Sequence, residues 1–302
     1  MKKTIQFSFI ISLLVAITVT GQAGTWITLD FPGAVGTSVS GIEGNIIVGS
    51  YDTSNYRTLG FVYDGTTWKA WTTLDYPQAS NSNVCGIDGD TIVGTYYTSG
   101  YSNPHGFIFN GTSFTDLTVP GASSTIAFGI GDDKIVGGYF NGSMVNSHGF
   151  VYDGTTWTTR DYPGAIGTQI TDTDKGKMVG RYWNDLNWTY QGFIYDGANW
   201  TTLNFPGAKL TFAEGIDGET IIGSYSNGSY TDSHGFIYDG VSWEILDFPG
   251  ASRTSISGIN GNVIVGSYTD SQEMEHGFVY IIPEPATMVL LGLGGLLIRR
   301  KK

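Results

Sequence analysis

Residues 149–165 read GFVYDGTTWTTRDYPGA. Gly-Phe-Val-Tyr alternates in the manner of a strand, Asp-Gly is a tight-turn pair, and Trp-Thr-Thr runs out to a Pro-Gly stop. The stretch therefore spells strand, turn, strand. Variants of it begin at Gly60, Gly106, Gly149, Gly192, Gly235 and Gly277, and the last is cut short after Tyr280. The stop prolines are Pro32, Pro77, Pro120, Pro163, Pro206 and Pro249, a spacing of 45 and then 43 throughout. The longer first spacing comes from Lys69-Ala70-Trp71, which extends one hairpin.

Each unit holds four short strand candidates, A to D. In the fifth unit they are residues 211–216, 220–225, 235–238 and 243–248, with Asp217-Gly218 turning A into B and Asp239-Gly240 turning C into D. Four antiparallel strands in about 43 residues is the size of a propeller blade. A parallel β-helix needs shorter coils, and an open solenoid needs capping units. The phase of the repeat predicts closure. The body starts with a lone D strand, 26–31, and ends after a C strand, 277–281, so the sixth blade must take its D strand from the N-terminus. That removes two open edges. The expected fold is all-β, a six-bladed β-propeller of four-stranded antiparallel blades over residues 24–282.

Both ends read as addresses. Residues 1–23 carry Lys2 and Lys3, an apolar run at 7–19, and small residues at Gly21 and Ala23, the pattern of a secretory signal peptide cut after Ala23. At the other end, Pro283-Glu284-Pro285 precedes a mostly apolar run, 286–298, and the basic tail Arg299-Arg300-Lys301-Lys302. Thirteen helical residues span only about 20 Å against a hydrocarbon core of roughly 30 Å, which suits a transient anchor with its basic tail kept cytoplasmic. This terminus, 283–302, resembles the PEP-CTERM sorting signal of Gram-negative bacteria. The resemblance implies a hydrophobic sorting helix, an exosortase-type sorting protease as partner, and delivery to the cell surface or extracellular matrix.

Without the two ends, nine basic residues face 26 acidic ones. A body near −17 is repelled by nucleic acid and by anionic lipid. The single Cys85 cannot form an internal disulfide.

Glycines recur before the strand-C Phe and within strand B (Gly49, Gly94, Gly137, Gly180, Gly223, Gly266), as expected where blades converge on the axis. Trp26, Trp157, Trp200 and Trp243 of strand D are expected to pack between blades. His105, His148, His234 and His276 occupy one repeat position, where other copies carry Leu59 and Gln191. Rotation about a ring spreads them apart, so a structural role is expected and no shared metal. Asp-Gly-Thr-Thr-Trp resembles the sialidase Asp box, yet it is one residue short and lacks the leading Ser. Arg57, Arg160, Arg181 and Arg253 also fall one per blade, which argues against a sialidase site. Asp172-Thr173-Asp174-Lys175-Gly176 departs from the repeat and opens like a calcium loop, but no Glu follows at the required distance. A solvated turn is expected there, with neither metal nor cofactor.

The pattern G-I-D-G-x-T-I-V-G-S-Y followed by H-G-F-I-Y-D-G is similar to the HAF family of extracellular repeats, with Gly where that family has Ala between His and Phe. The resemblance covers about residues 25–280 and brings no known activity or catalytic residues with it. The A–B and C–D turns barely vary and read as scaffold. The B–C loops differ in every copy and are rich in Tyr, Trp, Asn and Ser, residues that stack on flat ligands and bond polar ones. Ligand contacts are expected from Trp183, Trp188 and Tyr190, with Tyr56, Tyr97, Tyr101, Phe140 and Tyr230 around them. One strand-A position reads Ser40, Cys85, Phe128, Thr171, Glu214 and Ser257, a variability that suggests a channel lining. These features favour a non-catalytic exported protein that binds surface polysaccharide or an envelope protein. A structural envelope component and a carbohydrate-active enzyme are the alternatives.

Overall fold

The computed structural model describes residues 24–65, 70–142, 146–185, 189–228 and 232–283. Ala23, Trp188, Tyr230, Glu284, Pro285, Arg299 and Arg300 lie outside them, as do the expected signal peptide and sorting helix.

Six four-stranded antiparallel sheets follow one another around a ring. Five are continuous in sequence; the fifth runs Leu210–Asp217, Thr220–Ser226, His234–Tyr238 and Trp243–Ile245. The sixth contains Arg253–Asn260, Val263–Thr269 and Glu275–Ile281, and its outer strand is Thr25–Leu29. That strand pairs from Thr25↔Ile281 to Leu29↔Gly277, so the ring closes as the phase of the repeat predicts.

The corner after each strand D shows why Pro-Gly recurs. In Phe31-Pro32-Gly33-Ala34 the Ala34 N–H bonds the Phe31 carbonyl at 3.1 Å, and Gly33 takes φ 81°. Proline sets the first central residue and glycine supplies the left-handed second one. The corner after blade 1 has Gln78 there instead, held at φ 65°. The corner is fixed from the next blade: Thr37, Ser82, Thr125, Thr168, Thr211 and Thr254 each accept the backbone N–H six residues before them, at 2.9–3.0 Å.

Packing repeats with the same fidelity. The strand-C residues Phe61, Phe107, Phe150, Phe193, Phe236 and Phe278 are all buried. The corner aromatic stacks on the strand-B tyrosine, as in Phe31–Tyr51 at 3.7 Å and Phe248–Tyr268 at 3.6 Å. The strand-D tryptophans take the expected place between blades: Trp243 packs with Val179 and Leu203 of blade 4, and meets the corner aromatic Phe205 at 5.4 Å. They also sit edge-on against the Phe of their own blade, for example Trp200–Phe193 and Trp243–Phe236, both at 5.0 Å. The strand-B glycines differ from expectation. A Cβ on Gly137 would collide with the Ile126 carbonyl and the Phe150 ring, both in the same blade. The close approach is made by strand A to strand B within one sheet, because strand A bulges there.

Candidate functional site

Every strand A slips register by one residue at one place. The breaks lie between Val39/Gly41, Val84/Gly86, Ala127/Gly129, Ile170/Asp172, Ala213/Gly215 and Ile256/Gly258. The residues left over are Ser40, Cys85, Phe128, Thr171, Glu214 and Ser257. A bulge leaves its extra residue outside the ladder and re-aims its side chain, and all six line one cavity of about 270 Å³ at the centre of the ring. Glycine follows the bulge in five blades, where a Cβ on Gly41 would stand 3.4 Å from the Cα of Gly86 in the next blade.

Toward the A–B turns this channel is ringed by acids and one asparagine, several of which clasp neighbouring blades. Asp132 accepts the Gly176 N–H at 2.7 Å, Asp174 that of Gly218 at 2.6 Å, Asp217 that of Gly261 at 2.6 Å, and Asn260 that of Gly44 at 3.2 Å. Burial, followed by the charges of Asp88 and Asp217, raises the carboxyl of Glu43 in this ring. Asp172 stands where the other blades have the post-bulge glycine. Its carboxylate accepts the N–H of Thr173 and, from blade 5, that of Ile216, each at 2.9 Å. Burial nonetheless pushes it up to about 7 against those two donors. The solvated turn expected at 172–176 is therefore an interblade clasp, since both Asp172 and Asp174 reach blade 5.

At mid-channel the symmetry breaks. The strand-B position that carries Ser50, Ser224 and Ser267, each accepting an N–H from strand A of the next blade at 3.1–3.2 Å, holds Arg181 in blade 4. Arg181 Nε donates to Gln169 at 2.7 Å and Nη1 to Glu214 at 2.9 Å, with the side chains 19% and 26% exposed in the ion pair. Phe128, Tyr190 and Phe212 surround the guanidinium at 5.3–5.7 Å. Burial raises the Glu214 carboxyl while Arg181 opposes the shift.

On the B–C loop side the channel opens into two further cavities, about 430 and 340 Å³, which share Glu275. Hydroxyls dominate the larger one (Ser224, Ser233, Ser255, Ser257, Ser267), with Glu214, Glu273 and Arg253; the smaller includes Ser38, Asp52, Thr58, Asn83 and Tyr101. Arg253 is held by Glu273 at 2.8 Å. Protein surrounds Glu275 although its side chain stands open to the funnel. Desolvation raises its carboxyl most, a Ser38 hydrogen bond lowers it, and Asp52 raises it further.

Of the expected aromatic platform, the described Trp183 and Tyr190 do not line this funnel. Trp183 is 0% exposed and lies over Gly167, and Phe140 is 4% exposed. Both end strand B, where an alternating side chain turns into the core, and neither reaches a ligand at the rim. Tyr190 is half-buried between Trp183 and Phe212, each at 5.2 Å. Tyr97 is half-buried against Tyr101, which is 60% exposed, lines the smaller cavity and meets Thr58 Oγ1 at 2.6 Å. Tyr56 is 93% exposed at a loop tip with φ 63°. Of the aromatics expected to meet ligand, Tyr101 alone among the described residues lines either rim cavity.

The histidines sit away from the channel, on the C–D face. His148, His234 and His276 bond Asp161, Asp247 and Asp30 through Nδ1 at 2.7–2.9 Å. Each packs against its strand-B tyrosine at 5.0–5.3 Å. Burial pulls His234 and His276 down, but their Asp partners outweigh it and raise both. Among the described residues no group of three or more His, Cys, Asp or Glu is placed to hold a metal.

The architecture defines a closed six-bladed β-propeller. Residues 282–302 match the PEP-CTERM protein-sorting motif. That motif indicates export, sorting to the surface of a Gram-negative bacterium and processing by an exosortase. No curated protein sequence matches the chain. Among solved structures, the β-propeller domain of the Trilobed protease from Pyrococcus furiosus is 10% identical, with a TM-score of 0.53 over 82% of this chain and 95% of that one. Trypanosoma rangeli sialidase with the inhibitor DANA is 12% identical, with a TM-score of 0.53 over 84% of this chain. The chain spans about half of the sialidase, 55% of its length. At these identities the likeness is one of fold.

Proposed function

We propose that this protein is a non-catalytic binding module of the cell surface or exopolysaccharide matrix, and that it takes a hydroxylated ligand, a surface glycan above all, in the funnel on its B–C rim. The observation that carries this reading is the pair of hydroxyl-rich cavities meeting at Glu275, set among loops that differ in every blade. Serine, threonine and tyrosine hydroxyls with scattered carboxylates match the alternating donors and acceptors of a sugar ring, and Tyr101 offers an aromatic edge. Glu214 and Glu273 are engaged by Arg181 and Arg253, which suits recognition better than proton transfer. Similarity of the repeats to HAF-type extracellular repeats supports the same address. A structural envelope role without discrete ligand is the competing reading.

A glycan array of the exported protein tests this. Retained glycans should lose at least tenfold in affinity on Tyr101→Ala combined with Glu275→Gln. An array with no retained glycan, or a double variant that binds as wild type, would overturn the reading.

A further inference from the structure

The two ends of the propeller lie side by side and leave it from one rim. Thr25 and Val263 both pair with Ile281, and the Ile282 N–H bonds the Asn262 carbonyl, in the A–B turn of blade 6, at 2.8 Å. The sorting motif starts at residue 282. The chain therefore passes into that motif from the rim of repeated turns. The funnel opens on the opposite rim, where Tyr101, Glu273 and Glu275 stand.

Two lengths constrain how the body can sit on a membrane. Residues 283–285 separate Ile282 from the apolar run at 286–298. The four Cα steps from Ile282 to residue 286 reach at most about 14 Å in any conformation. The rims are separated by strands such as Val263–Thr269, seven residues long, or about 23 Å. A tether clearly shorter than the body is thick lets the propeller tilt but not invert. We infer that, while the apolar run is held in a bilayer, the A–B and C–D turn rim faces the lipid and the funnel cannot. The sorting segment thus fixes the side on which ligand is met as well as the destination. The inference rests on the membrane-anchoring reading of that segment and is independent of what the funnel binds.

The test uses the full chain with Cys85→Ser, a change to the residue that blades 1 and 6 carry at the same bulge. Single cysteines replace Val241, 89% exposed in a C–D turn, or Gln272, exposed in the B–C loop of blade 6. Each is labelled with a fluorophore and reconstituted into phosphatidylethanolamine–phosphatidylglycerol vesicles carrying a headgroup quencher. Quenching should be at least threefold stronger at position 241 than at 272. Equal or stronger quenching at 272 in protein that floats with the vesicles overturns the orientation alone. A full chain that does not float overturns the anchoring reading, and the orientation with it.

Discussion

The two rims of this propeller are built from the same repeat and have diverged in opposite ways. On the turn rim, the C–D hairpins of blades 3, 4 and 5 use one device. Asp153, Asp196 and Asp239 each accept two backbone N–H groups of their own turn at 2.6–2.9 Å, which lowers their carboxyls. The A–B turns on that rim are clasped from blade to blade. On the loop rim, no two B–C loops agree in sequence, and the cavities there combine the repeated Ser50, Ser224 and Ser267 with Tyr101, Glu273 and Glu275, which those loops supply. Symmetric contacts close the ring, and departures from symmetry leave room for a ligand. Sequence variation on the loop rim does not by itself mean exposure, as the buried Trp183 shows.

The comparison can be broken most severely at closure. Deleting residues 24–31 removes buried Trp26 and Leu29 and bares the edge of Glu275–Ile281; soluble, cooperatively melting protein should be lost, as read by size exclusion and circular dichroism. Next comes Trp183→Ala, which should cost about 3–5 kcal/mol in denaturant melts although the residue opens a variable loop. A cost below about 1 kcal/mol would return Trp183 to the ligand-facing surface. Gly137→Ala, which forces a Cβ against the Ile126 carbonyl, should cost about 1–3 kcal/mol by overpacking.

Smaller still is the pH dependence. Asp172 and Glu275 are raised in the fold, so the folded state holds their protons more tightly than the unfolded chain. The raised His234 and His276 act in the same sense, since their stabilisation is complete below the unfolded value and is lost as pH climbs through the folded one. Asp153, Asp196 and Asp239 are lowered and stay ionised across this window in both states. Stability should therefore rise as pH falls from 8 to 6, with Asp172 contributing about 1 kcal/mol. Asp172→Gly, the residue of the other five blades, should flatten the slope. The smallest effect belongs to the loop tip: Tyr56→Ala should shift stability by less than about 0.5 kcal/mol.

The ring is legible in the sequence because its determinants are local and repeated. Pro-Gly corners, Asp-Gly turns and the lone D strand at residues 26–31 all signal within a few residues, and six copies remove ambiguity. The bulge is half legible: variability at Ser40, Cys85, Phe128, Thr171, Glu214 and Ser257 marks the channel, but a register slip of one residue leaves no periodic trace. Trp183 and Phe140 mislead because strand B runs further than its repeat pattern suggests, so its last residue alternates into the core. Arg181 gives no sequence signal as a channel residue because its significance depends on Gln169 and Glu214. Gln169 faces Arg181 across a single hairpin, but Glu214 is 33 positions away and reaches it only through the packing of blade 5 on blade 4.

The pairing of Thr25 with Ile281 also sets a schedule. The outer strand of the sixth blade is the first to emerge from the ribosome, and its partner is the last. At roughly 5–20 residues per second of synthesis, the first strand waits on the order of ten to fifty seconds for its place. Five blades can form from neighbouring segments in that interval, whereas the sixth depends on the longest loop closure in the molecule. The ring is complete only once the strand that immediately precedes the sorting motif has been made and has met the first strand of the propeller.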